Sequence, residues 1–292
     1  MTTDGTGMRS VLITGASTGI GEACALRLDK AGWRVYAGVR KEADGQRLKQ
    51  GASDRLTPIT LDVTNQQQID AAVQTVAAAV GEGGLHGLVN NAGISINGPL
   101  EFLTPDDIRK QLEVNVVGQV AMVQAFLPLI RKAHGRIVNI GSIAGKMATP
   151  FLGPYTASKH AMEAISDSLR QELRPWGLHV ALIEPGSIKT EIWQKGIREA
   201  DDFQRNAPEE ATRLYGKAFN ALKDAATKFE DAGIPADRVA RSVEHALTSG
   251  RPRTRYIVGF DATVQRIIKS VVPDRLRDRL VASQLKLPTK AE

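Results

Sequence analysis

Over its first 185 residues the chain alternates short, unbroken runs of valine, isoleucine and leucine with segments of helical periodicity. "SVLITGA" leads into a helical pattern from about Ile20 to Ala31, "WRVYAGV" into one through "EADGQRLKQ", and "LTPITLDV" into one from about Gln66 to Val80. "LHGLVNNAG" precedes a long helical pattern from about Pro105 to Arg131, and "GRIVNIGS" one that starts near Gly153; "LHVALIEPG" completes the series. Runs that are apolar throughout, rather than alternating, suit parallel strands covered on both faces. Strand–helix alternation throughout then means βαβ units. The expected fold is α/β, a doubly wound, mostly parallel sheet of about seven strands flanked by helices, in a single domain.

After Gly186 the rhythm breaks. Residues 187–235 scatter Trp193, Phe203, Tyr215, Phe219 and Phe229 among charges, and we expect a loop with helices lying over the carboxyl edge of the sheet. A helix from Pro235 to about Thr248 and a last strand, "RYIVGF", then return to the core. Beyond it, Val264, Ile267, Ile268, Val271 and Val272 follow helical spacing, Pro273 breaks the pattern, and Leu276 and Leu280 resume it.

The net charge is +6, and it resides in this last segment. Residues 251–292 hold ten Lys or Arg against four Asp or Glu, while the rest of the chain holds 28 of each. A short basic tail without interleaved aromatics gives no reason to expect nucleic acid as a partner. The tail fits two roles: packing against the body or another subunit, or resting on an anionic membrane surface. "MTTDGTGMRS" has no apolar core of a secretory signal, and no apolar run approaches the ~20 residues that span a bilayer. Cys24, alone in the sequence, excludes an intramolecular disulfide and reads as a small buried hydrophobe. The expected location is cytoplasmic, with peripheral membrane contact as the variant that the tail allows.

"TGASTGIG", Thr14 to Gly21, lies where the first strand meets the first helix. Glycines at that turn let backbone N–H groups approach a pyrophosphate, and the helix N-terminus adds partial positive charge. The fold is therefore expected to be Rossmann-type. Residues 9–259 form its nucleotide-binding and catalytic domain, 187–235 a substrate loop or lid, and 260–292 a basic amphipathic C-terminal tail.

This octet, "NNAG" at Asn90 to Gly93, Ser142, the Tyr155-x-x-x-Lys159 pair and "PGSIKT" at Pro185 to Thr190 follow one another along the chain. In that order they resemble the short-chain dehydrogenase/reductase family of NAD(P)-dependent oxidoreductases. "SDRLTPITLDVT", "GLHGLVNNAGI", "SDSLRQEL" and "PRTRY" are similar to its retinol and 17β-hydroxysteroid dehydrogenase branch.

The resemblance implies a catalytic set of Asn115, Ser142, Tyr155 and Lys159. Tyr155 gives a proton to a carbonyl oxygen or takes one from an alcohol. Lys159 also holds the nicotinamide ribose, Ser142 bonds the substrate oxygen, and Asn115 anchors a water leading from the lysine to solvent. A free tyrosine, with a pKa near ~10, is a poor base at neutral pH. The i, i+4 spacing puts both side chains on one helix face. An ammonium at ~4.5 Å, with an effective dielectric of ~20, would favour the phenolate by roughly 3.7 kcal/mol.

The same resemblance draws cofactor contacts from Gly15, Ser17, Thr18, Gly19, Ile20 and Gly21 of the loop, from Asp62 and Val63, and from Asn91, Ala92 and Gly93. Pro185, Gly186, Ile188 and Thr190 complete them on the nicotinamide side. Asn90 reads as a brace between central strands. The nucleotide's identity turns on the end of the second strand, where an acid would repel a 2′-phosphate. Val39 stands there and Arg40 follows, well suited to a phosphate. NADP(H) is the expected cofactor, NAD(H) the alternative, and no metal is expected.

Met147, Phe151 and Leu152 lie between Ser142 and Tyr155, and Trp193 lies downstream. With the branch resemblance they favour a bulky apolar alcohol or ketone, such as a steroid, retinoid, terpenoid or other lipid. A homodimer or homotetramer is expected from the family. The rival readings are an NAD-dependent dehydrogenase of the same family, and a dinucleotide sensor or scaffold without turnover.

Overall fold

In the computed structural model, residues 8–284 are described, except for the side chains of residues 192–196, 199–200, 206, 228–231 and 284. The apolar runs become β1 (Ser10–Ile13), β2 (Arg34–Val39), β3 (Leu56–Thr60), β4 (Gly87–Asn90), β5 (Arg136–Ile140) and β6 (His179–Pro185). The segments between them are α1 (Gly19–Lys30), α2 (Glu42–Gln50), α3 (Gln66–Val80), α4 (Pro105–Leu112), α5 (Gly118–Lys132) and α6 (Gly153–Glu172). Next come β7 (Ile188–Lys189), α7 (Glu191–Asn206), α8 (Glu209–Ala232), β8 (Ile234–Pro235), α9 (Ala236–Thr248) and β9 (Arg255–Val258). Helices α10 (Phe260–Val271) and α11 (Asp274–Gln284) follow.

Seven strands join in the order β3-β2-β1-β4-β5-β6-β9, and every adjacent pair is parallel. The order reverses between β1 and β4, which opens a crevice at the carboxyl ends of those strands, the usual ligand position in such sheets. Successive residues of a strand face opposite layers. Val11 and Ile13 pack with Leu28 of α1 and Val243 of α9, while Leu12 packs with Val76 of α3 and Phe126 of α5. Both layers are apolar, which is why these strands read as unbroken hydrophobic runs. Each fully buried Leu, Ile or Phe contributes roughly 1.5–3 kcal/mol.

The long helical pattern after β4 is interrupted. Between α4 and α5 the chain takes a π-helical turn, Glu113–Val117, where we expected continuous α-helix. Sequence periodicity registers only approximate spacing, so one extra residue in a turn leaves little trace. Pro105–Lys132 as a whole is long and apolar enough to cross a membrane, where the sequence led us to expect no stretch of that length. In the fold its face bearing Met122, Phe126 and Ile130 packs against the sheet.

The 187–235 insertion is tied at its two ends, because β7 pairs with β8 through Ile188 and Ile234. Its helices set Tyr215 and Phe219 edge-on against Phe151, with ring centroids 6.1 and 5.5 Å away. Phe203 packs on Phe219 and Phe102 on Tyr215, so the insertion meets the body through an aromatic cluster.

Candidate active site

The site is assembled where β1, β4, β5 and β6 end. Thr14 Oγ1 accepts hydrogen bonds from the backbone N–H groups of Asn91 (2.9 Å) and Ala92 (3.0 Å). The Asn91 amide returns two, to the carbonyls of Thr14 (3.0 Å) and Gly15 (2.9 Å). These bonds lock the glycine loop against the "NNAG" segment. Only glycine fits at two of its positions. A Cβ on Gly15, which has φ of +63°, would stand 2.8 Å from Ala92 Cα, and one on Gly21 would stand 2.2 Å from the Gly15 carbonyl oxygen. Gly19 meets the Thr190 side chain, so "TGASTGIG", "NNAG" and "PGSIKT" converge.

Thr18 caps α1 without a side-chain hydrogen bond, leaving the first N–H groups of that helix turned to the cradle. A cradle with glycines at close approach, a helix N-terminus and no carboxylate in the loop fits a dinucleotide pyrophosphate. Ser17, Thr18 and Ile20 are half-buried along its rim. Asp62 Oδ1 accepts from the backbone and hydroxyl of Thr64, so this carboxylate closes a turn, and Asn65 caps α3. Val63 is buried, and Gly118 of α5 packs against it.

Arg40 follows β2, exposed and without a hydrogen bond or ion pair among the described residues. Arg47 of α2, which no sequence motif singles out, contacts the glycine loop. Its guanidinium donates to the Ser17 carbonyl and pairs with Glu22 at 2.8 Å.

Ser142 follows β5 and caps a short 3₁₀ turn, accepting from Ala144 N–H at 3.1 Å. Its hydroxyl lies near enough to the Tyr155 phenol to favour the charged form of that group. Lys159, one turn along α6, is buried, with Nζ donating to the Ile140 carbonyl at 2.9 Å and lying 5.7 Å from the centre of the Tyr155 ring. Here the electrostatic expectation is corrected. Burial raises the Tyr155 phenol above its ordinary value, and the nearby Ser142 hydroxyl works against that rise without reversing it. Burial also lowers Lys159 to about 8. The Lys159 ammonium is held by the carbonyl at the end of β5, and desolvation is the largest influence on both groups.

Asn115 sits in the π-helical turn. Its Oδ1 accepts from Ile94 N–H at 2.9 Å, and its Nδ2 donates to the Ile94 carbonyl (3.0 Å) and to Ser158 Oγ (3.1 Å). This amide ties the segment after "NNAG" to α6. Asn90 donates to Asn139 at 3.1 Å, and Asn139 in turn to Ser166, bracing β4, β5 and α6.

On the nicotinamide side, Pro185 closes β6, Ile188 is buried in β7, and Thr190 caps α7. Sequence reasoning missed the residue that shapes this loop. Asp261 of α10 accepts from Ser187 N–H at 2.7 Å, and a Cβ on Gly186 would collide with its carboxylate at 2.3 Å. Met147 and Leu152 are half-buried beside the site. Phe151 is committed to the aromatic cluster, and the side chain of Trp193 lies outside the described residues.

Beneath Ser142 and α6 lies a charged hub. Lys146 and Arg255 both donate to Glu163 Oε2, at 2.6 and 3.1 Å, and Arg255 also pairs with Asp167 at 2.7 Å. Glu184, fully buried in β6, faces Arg255 Nε at 3.2 Å. Burial and the nearby Glu163 charge push its carboxyl up.

The short-chain dehydrogenase family model matches residues 9–201, and this chain belongs to that family. Over 277 residues it is 41% identical to retinol dehydrogenase 7 of Rattus norvegicus, covering 93% of this chain and 87% of that one. Over 288 residues it is 35% identical to an NADPH-dependent 3-dehydrocapnine reductase of Ornithobacterium rhinotracheale, covering 97% and 99%. A solved short-chain dehydrogenase from Streptomyces avermitilis superposes with a TM-score of 0.75 at 26% identity, covering 97% of this chain and 98% of that one. The chain is an NAD(P)-dependent oxidoreductase of the retinol and hydroxysteroid dehydrogenase-like branch.

Proposed function

We propose that this protein interconverts a bulky apolar alcohol and its ketone or aldehyde, with NADP(H) preferred over NAD(H) and Tyr155 as the general acid or base. The observation that carries the reading is the convergence of Ser142, the buried Tyr155 phenol and Lys159, buried one turn away, beside the glycine cradle. Bound there, the nicotinamide nucleotide supplies or accepts the hydride. Ser142 and Tyr155 hold the substrate oxygen between two hydroxyls. The raised pKa keeps the phenol protonated at neutral pH, which favours proton donation to a carbonyl oxygen. Ser142 shares the charge that develops on that oxygen. Burial lowers Lys159 to about 8, so its ammonium can give up a proton to restore the phenol after Tyr155 has donated its own to the substrate oxygen.

NADP(H) preference rests on Arg40, a guanidinium just after β2 with no partner among the described residues, and one relative's name specifies NADPH. A bulky apolar substrate is supported by the half-buried Met147 and Leu152 and by a relative named for retinol. The decisive experiment follows NADPH consumption against steroid, retinoid, terpenoid and small polar carbonyls. Fastest turnover with a small polar carbonyl would overturn the substrate reading. Absence of turnover in both directions with either nucleotide, while NADPH still binds, would favour a sensor.

A second reading concerns location. Phe260, Ile267, Val271, Leu276 and Leu280 are exposed on α10 and α11, beside Arg266, Lys269, Arg275 and Arg279. That combination supports a cytoplasmic protein that rests on an anionic membrane surface through its tail. Equal sedimentation with anionic vesicles before and after deletion of residues 260–292 would refute it. We further assign a homodimer or homotetramer joined through α4 to α6, where Val117 is half-exposed, and light scattering tests that assignment.

A further inference from the structure

A second cleft opens at the other end of the sheet, where β5, β6 and β9 begin rather than end. Its volume is about 370 Å³, within the range of small-molecule sites, and it is bordered by α6, the turn after it and the segment leading into β9. Arg136, Arg170, Arg174, Arg253 and His179 line it, and no aspartate or glutamate does. Ile137, Leu178, Val180 and Pro252 supply apolar wall.

The charge in this cleft is largely uncompensated. Arg136 is 7% exposed, donates one N–H to the Ala246 carbonyl at 2.7 Å, and keeps Nε buried with no partner. Burial lowers its pKa, Tyr256 works against that shift, and the neighbouring Arg9 adds to it. Arg136 in turn helps burial to hold the His179 imidazole below its ordinary range. Arg170 is paired with Asp167, but the Arg174 and Arg253 side chains have no partner among the described residues. Carbonyl ends of α6 and α9 lie nearby, each worth about half a charge, so the three guanidiniums without a carboxylate partner still leave an excess of about two charges. A buried guanidinium with an unmet donor costs stability unless something meets it.

We propose that this amino-edge cleft is a binding site for a phosphate-bearing small molecule, separate from the nucleotide cradle. Guanidiniums arriving from β5, from the turn after α6 and from the segment before β9 match an acceptor with oxygens in several directions, which a phosphate offers and a carboxylate does not. The apolar wall accommodates an organic portion. The phosphate belongs either to a soluble metabolite or to a lipid headgroup.

The test compares the wild type with Arg174→Ala/Arg253→Ala by isothermal titration, using inorganic pyrophosphate in one arm and dioctanoyl phosphatidic acid in the other. Both substituted side chains are exposed and remote from the glycine loop, so any binding at the cradle is common to the two proteins. NADPH affinity serves as the control for an intact fold. The expected result is binding that weakens at least about tenfold in the double variant, in one arm or both. Loss in the pyrophosphate arm points to a soluble metabolite, and loss confined to the phosphatidic acid arm to a lipid. Identical titrations of the two proteins in both arms, including no binding in either, would overturn the proposal.

Discussion

Asp261 and Ser187, 74 residues apart, are joined by a 2.7 Å hydrogen bond from the Ser187 N–H to the Asp261 carboxylate. The first turn of the C-terminal helices thereby holds the loop that borders the nicotinamide side of the site. Asp261→Ala should raise the KM for nucleotide several-fold, with a smaller effect on kcat, and lower stability by about 1–3 kcal/mol. Asp261→Asn keeps an oxygen acceptor and should recover most of the affinity. Steady-state kinetics on the two variants checks this, and equal behaviour of both would count against it.

Tyr155→Phe removes the buried phenol hydroxyl near Ser142 and leaves the cradle untouched. Turnover should drop by about 10²–10⁴-fold while NADPH affinity stays within about twofold. Single-turnover kinetics and fluorescence titration separate the two quantities. Unchanged turnover would remove Tyr155 from the chemistry.

Lys159 is held near 8, below its ordinary 10.5, so its charge destabilises the fold. Below about pH 8 both folded and unfolded chains carry that charge, and the full cost applies. Between pH 8 and 10.5 the folded lysine is neutral while the unfolded one is still charged, so the cost fades. Relative to Lys159→Met, the wild type should gain about 2 kcal/mol between pH 7.5 and 9.5. Urea melts at the two pH values measure it, and a constant difference would show that Lys159 does not titrate there.

Arg40→Ala should weaken NADPH by about tenfold to hundredfold and leave NADH within about twofold. Arg47→Ala acts through the Ser17 carbonyl and should weaken both nucleotides together. Paired equilibrium titrations distinguish a 2′-phosphate contact from a loop support. Loss of both nucleotides in Arg40→Ala would place that residue in the second class.

Much of the fold was legible because parallel strands covered on both faces leave unbroken apolar runs. α3 was expected from about Gln66 to Val80, and those are its observed bounds. The glycine loop was legible too, since backbone approach leaves a residue-type signature at Gly15 and Gly21. Contacts across long stretches of chain left none. Nothing near Asp261 announces Ser187, and an arginine on α2 gives no sign that it reaches Ser17. The sign of the Tyr155 shift was misjudged for a related reason. Helical spacing put Lys159 on the right face, but burial and the Ile140 carbonyl decided where its charge acts.

Thr14 and Asn91 bolt the glycine loop to the segment after β4 through bonds made entirely within the protein. A nucleotide entering this cradle therefore has little backbone motion to freeze. Its affinity is spent less on ordering the loop and more on contact, as expected of a pre-organised site. A loop that does not rearrange also cannot discriminate by closing differently around two nucleotides. The choice between them passes to the side chains at the rim, where one substitution can redirect it without disturbing the fold.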